Sequence, residues 1–259
     1  MEQLKKMRLD YLFIAVMSVL AVLFLVSFIH NPQGSQVRTV NVFYGDENRF
    51  FCDFADHNLI AADKNIYFQD EYPGNPPNFL PFVYVLHSVF ARAADYAGQG
   101  IGARFTSMGL ITENLFYIFW LALLFIIAFD LKQGSKSLKY LVSALLFLSY
   151  ISLFSYGIGN WAIVSCVLSL FFLFSYNSGN KIIKELALIA VAVAAVIKIY
   201  PFFFAVVLLY DKKYIEFLRV CVYGAILAIA PYFFFVTPQH SFMDNIFNVF
   251  LFVIRRNDD

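Results

Sequence analysis

Charge is what this sequence has least of. Of its 259 residues only 14% are Asp, Glu, Lys or Arg, while 61% are hydrophobic and 19% aromatic; a soluble domain carries roughly 25% charged residues. That balance points away from a soluble domain and toward an integral membrane protein. The net charge is +1 with no basic tract, so no nucleic-acid partner is expected. Cysteine is scarce as well. Cys52, Cys166 and Cys221 are scattered, two of them in apolar runs, which suggests neither a disulfide framework nor a CxxC metal motif. Asn-x-Ser/Thr sequons are absent, which fits a bacterial inner membrane. No repeat of fixed period and no low-complexity linker divides the chain, so residues 1–259 read as one membrane domain.

What the chain has in abundance is apolar length. Residues 11–29, YLFIAVMSVLAVLFLVSFI, follow Lys5, Lys6 and Arg8 and at about 1.5 Å per residue reach roughly 29 Å, the thickness of a bilayer core. They read as a retained first helix, because the following HNPQGSQ offers no convincing cleavage site. Further crossing runs lie at about 110–129, 138–156, 161–176 and 214–236. The connections carry Lys132, Lys136 and Lys139, then Lys181 and Lys184, then Lys212, Lys213 and Arg219. By the positive-inside rule those connections and the N-terminus are cytoplasmic. The fold expected is therefore all-α: a multi-pass helical bundle of about six to eight membrane segments with a large first extracytoplasmic loop over 30–109.

Two stretches do not fit a simple crossing. Residues 79–91 reach only about 20 Å, and a crossing there would put the lysines of 130–139 on the wrong face, so an interfacial helix on the outer surface is expected. Residues 185–210 are long enough to cross once, but would then expose Asp211, Lys212 and Lys213 outside. Pro201 has no N–H to donate and disfavours helix just before it. A broken helix or hairpin that returns to the cytoplasm meets both constraints, and such a break calls for a neighbouring cavity. The tail at 242–254 reads as another interfacial helix.

The outer loop carries the acids Asp46, Glu47, Asp53, Asp56, Asp63, Asp70 and Glu71. Asp53 and Asp56 are three apart and His57 is four from Asp53, so a helix would set them on one face. Such a group could bind a divalent cation through oxygen or supply a general base; no other cofactor is expected. Asp53 stands out because Phe50, Phe51 and Phe54 surround it and would hold it at the interface. Lys198 is an isolated cation in some two dozen apolar residues, costing on the order of 3 kcal/mol on insertion scales. Snorkelling to head groups is the plain account; facing the cavity to meet an anion, most simply a lipid phosphate, is the functional one.

In order and spacing these residues resemble the multi-pass glycosyltransferases of the GT-C class, particularly the branch that uses polyprenol-phosphate-mannose. The resemblance rests on Asp53-Phe54 early in the first outer loop, Asn65-Ile66-Tyr67, a loose match over Tyr72 to Phe82, Gly159-Asn160-Trp161 opening a membrane helix, and Lys198-Ile199-Tyr200-Pro201 followed by Lys212-Lys213. Ile66 replaces an expected proline, and "YPGNPPNF" is longer than the class pattern. The resemblance implies transfer of a hexose such as mannose from a polyprenyl-phosphate donor to a glycan or glycolipid hydroxyl on the extracytoplasmic face, with inversion. It implies Asp53 as base, Lys198 and Tyr200 at the donor phosphate, and Asp56, His57, Tyr67 and Asn160 at acceptor or sugar. Members of the class are usually longer, so a fragment or a minimal version is expected. Rival expectations are a transporter or flippase of a lipid-linked substrate and an inactive, truncated membrane subunit.

Overall fold

The structure, a computed structural model, describes residues 51–63, 65–68, 79–131 and 134–255, together with positions 15, 18, 19 and 22. Apart from those four positions the expected first helix at 11–29 lies outside the described residues, as do the acids Asp46, Glu47, Asp70 and Glu71 and most of "YPGNPPNF". Among the described residues every regular element is helical and none is a strand. In chain order they are α1 (Cys52–Ala61), α2 (Pro81–Ala93), α3 (Tyr96–Gln99), α4 (Ser107–Leu131), α5 (Lys136–Phe147), α6 (Tyr150–Ile158), α7 (Ala162–Ser175), α8 (Lys181–Ile197), α9 (Val206–Tyr210), α10 (Tyr214–Ile229) and α11 (Phe242–Arg255). Short 3-10 turns cover Gly100–Phe105, Tyr200–Ala205 and Ala230–Phe235.

Among the described residues, three helical stretches are long and apolar enough to cross a membrane: Ser107–Ala128, Lys136–Ile158 and Tyr214–Phe235. They fall within a few residues of the runs expected at 110–129, 138–156 and 214–236, and they are consistent with an integral membrane protein. The run at 161–176 forms α7, whose 14 residues reach only about 21 Å. Outward apolar side chains such as Ile215, Leu218, Val222, Ile226 and Ile229 recur every three to four residues along α10, the periodicity of one helix face.

The chain divides into two compact units, residues 1–52 with 116–163, and residues 53–115 with 164–259. In the first, Phe51 stacks on Tyr117 at 5.6 Å and meets Tyr156 edge-on at 5.5 Å. Its N–H donates to the Gly157 carbonyl at 2.9 Å. Gly159 ends α6 with φ 74°, a left-handed conformation that only glycine takes without steric cost.

In the second unit α8 is started by Asn180, whose side chain accepts from the N–H groups of Ile182 and Ile183, filling two of the unsatisfied donors at a helix head. The helix ends where Lys198 becomes extended (φ −142°, ψ 127°), three residues before Pro201. The chain then doubles back. Ala205 and Leu208 pack against Ala187, Leu188, Val191 and Ala192 of α8, and Tyr176, just ahead of α8, donates to Asp211 at 3.0 Å. Lys184 pairs with Glu216 at 2.5 Å and Arg219 with Glu185. Thus Asp211 and α10's first turns sit beside the start of α8, while Lys198 stands at its far end, about 25 Å away for 17 residues.

Candidate functional site

Helix α1 carries three of the expected residues. Asp53 lies in its first turn, where the helix dipole favours negative charge. Asp53 and Asp56 are half-buried and His57 is buried. Helix α2 fixes the back of α1. Pro81 is suited to its first position, and the spacing of Tyr84, His87, Ser88 and Ala91 makes one buried stripe. From that stripe His87 Nδ1 lies 2.6 Å from Asn58 Oδ1, and Tyr84 Oη lies 3.4 Å from His57 Nδ1. The rings of Phe54 and His87 meet at 4.8 Å.

Lys198, half-buried at the end of α8, lies within electrostatic reach of Asp53 and of His57. Its Nζ sits 4.9 Å from the centre of the Phe79 ring. Burial, then the Lys198 charge, lowers His57 to about 4, so this imidazole is neutral at physiological pH. Burial and then the neighbouring Asp53 raise Asp56, and Arg104 opposes them. The arrangement can therefore offer a proton acceptor and a fixed cation to one substrate, with a neutral imidazole beside them.

Other expected residues are placed differently. Tyr67 is half-buried, its ring 5.7 Å from Tyr232 and 6.3 Å from Tyr84. Tyr200 heads the 3-10 turn after the break and is half exposed. Asn160 belongs to the other unit, where its Oδ1 accepts from the Ala162 N–H at 2.9 Å and helps to start α7. Among the described residues no three His, Cys, Asp or Glu side chains cluster as a metal ion would need.

The structure adds residues that the sequence reading passed over. Glu113 and Tyr96 are fully buried and joined by a 2.5 Å hydrogen bond from the phenol to the carboxylate. Arg104, also buried, lies within electrostatic reach of Glu113, Tyr96 and Asp56. A close backbone approach sets it there: a Cβ on Gly109 would lie 2.2 Å from the Ala103 carbonyl oxygen. Thr106 caps the same helix head, accepting from the Gly109 N–H at 3.1 Å and donating to Ala103 at 2.6 Å. Burial, followed by Glu113, raises the Tyr96 phenol far above its usual range. The sequence signal was available for Glu113, a lone acid near the head of an apolar helix; nothing local marks Tyr96, His87 or Phe79.

No protein-family model matches this chain, and no curated protein or solved structure matches it.

Proposed function

We propose that the chain is a multi-pass membrane glycosyltransferase of the GT-C kind. It transfers a hexose, mannose being the class example, from a polyprenyl-phosphate donor to a glycan or glycolipid hydroxyl on the extracytoplasmic face. The observation that carries this reading is the electrostatic proximity of Asp53 and Lys198, a base and a cation brought together from positions 145 residues apart in sequence. The acceptor oxygen attacks the anomeric carbon while Asp53 takes its proton. The bond from that carbon to the phosphate oxygen breaks from the opposite side, and its electron pair stays with the phosphate. The leaving phosphate thereby gains a negative charge, which the Lys198 ammonium neutralises most effectively where water is scarce.

Tyr200 adjoins the donor phosphate in this reading, and Asp56, His57 and Tyr67 serve the acceptor or the sugar. The three long helices, α7, α8 with its return, and the 11–29 run make up a bundle of about six to eight membrane segments. The N-terminus is cytoplasmic, the membrane is a bacterial inner membrane, and α2 lies along its outer surface.

The test is incubation of the membrane-embedded protein with polyprenyl-phosphate sugars carrying radiolabel in the sugar. Wild type releases label from the lipid into acceptor, and Asp53→Asn does so about 10²- to 10⁴-fold more slowly, the range of a lost general base. Equal rates in the two proteins would remove Asp53 as the base.

A further inference from the structure

Phe79 touches two site residues. Its ring centre is 4.9 Å from Lys198 Nζ and 4.6 Å from the centre of the His57 imidazole, the two rings in an edge-to-face arrangement. It also meets Tyr84 at 6.3 Å, and it packs against the cluster of Ile60, Ala61, Ile66, Tyr84 and Phe235. A half-buried ammonium has lost part of its hydration, and the negative face of an aromatic ring replaces some of it. The imidazole partner matters as much. A charged imidazole there would compete for the same ring, whereas the buried His57 is neutral at physiological pH.

We propose that Phe79 is the positioning residue for Lys198: its ring holds the ammonium at the mouth of the Asp53 site, and the edge-to-face contact with His57 fixes the ring. This rests on the proposed sugar transfer for its role in a reaction, but the contact itself does not. Phe79 is not a catalytic residue, since it acts through Lys198. The ring keeps the ammonium charged and in place between turnovers, when no phosphate is bound. The charged or titratable groups that face Lys198 are Asp53, which favours its charged form, and His57, which is neutral. Neither of them replaces the ring's contact.

The experiment measures the titration of Lys198 directly, by trace labelling with acetic anhydride across a pH series and mass spectrometry of the peptide that carries it. The proteins are wild type, Phe79→Leu and Phe79→Tyr, all in lipid nanodiscs. Leucine keeps an apolar filling and removes the ring, while tyrosine restores the ring. The labelling midpoint falls by about half a pH unit to one unit in the leucine variant, the size of a partly desolvated cation–π contact, and returns in the tyrosine variant. An unchanged midpoint in Phe79→Leu overturns the proposal, as does a midpoint that tyrosine fails to restore. In parallel, the alkaline limb of donor kcat/KM moves with the labelling midpoint. A fixed limb beside a moved midpoint overturns the role in the reaction. A wild type that transfers no sugar removes the proposed function and this role together, and the labelling result still decides the contact.

Discussion

Tyr96 donates its phenol hydrogen to Glu113 at 2.5 Å, and neither side chain has any exposure to solvent. The second Glu113 oxygen has no hydrogen-bond partner, so the carboxylate depends on this phenol and on the nearby Arg104 charge. Removing the hydroxyl strands a buried acceptor. Tyr96→Phe is expected to lower stability by about 1–3 kcal/mol, read as an earlier thermal unfolding midpoint in nanodiscs. Adding Glu113→Gln to it recovers part of the loss, because a neutral amide is less costly to bury than a carboxylate.

Stability depends on pH through the buried histidines. Burial and Lys198 lower His57 to about 4, and burial with His57 lowers His87 well below its ordinary value. Between pH 6.5 and about 4 the unfolded chain takes up protons that the folded one refuses. The contribution is therefore fully present above pH 6.5 and is lost as pH falls toward 4, on the order of 3 kcal/mol from His57. Asp56, raised by burial, has the opposite sign, giving up stability as pH rises above the ordinary carboxylate range. The unfolding midpoint should fall when pH drops from 7 to 4.5, and the fall should be smaller in His57→Gln.

These two relationships also mark what sequence could reveal. Spans were legible because twenty consecutive apolar residues leave few alternatives, and Ser107–Ala128 and Tyr214–Phe235 follow from them. Asp53, Asp56 and Lys198 were legible as charges in apolar surroundings, a local property. The division of 136–158 into α5 and α6 was not, because it turns on Ser149 capping a new helix through the Ser152 N–H inside an unbroken apolar run. Nor were Phe79, His87, Tyr96 and Arg104. Their chemistry arises from partners 8 to 119 residues distant, and nothing in their own neighbourhood of sequence marks them.

Lys198 separates insertion from activity. Lys198→Met removes a charge that is costly to insert, so the variant should reach the membrane at wild-type levels. It should lose transfer by about 10²- to 10³-fold, the scale of one lost electrostatic stabiliser, while Lys198→Arg retains measurable turnover. Membrane fractionation beside the radiolabel assay checks both halves, and normal turnover in Lys198→Met would remove the residue from the reaction.

Sugar transfer by this pair requires Asp53 and Lys198 to open to one aqueous compartment, with Asp211 at the other end of α8. In a background with Cys52, Cys166 and Cys221 replaced by serine, single cysteines at 53, 198 and 211 are exposed to a small anionic thiosulfonate that cannot cross the bilayer. Sealed vesicles of known orientation should give labelling at 53 and 198 from the same side and at 211 from the opposite side. Labelling of 53 and 198 from opposite sides would contradict the account.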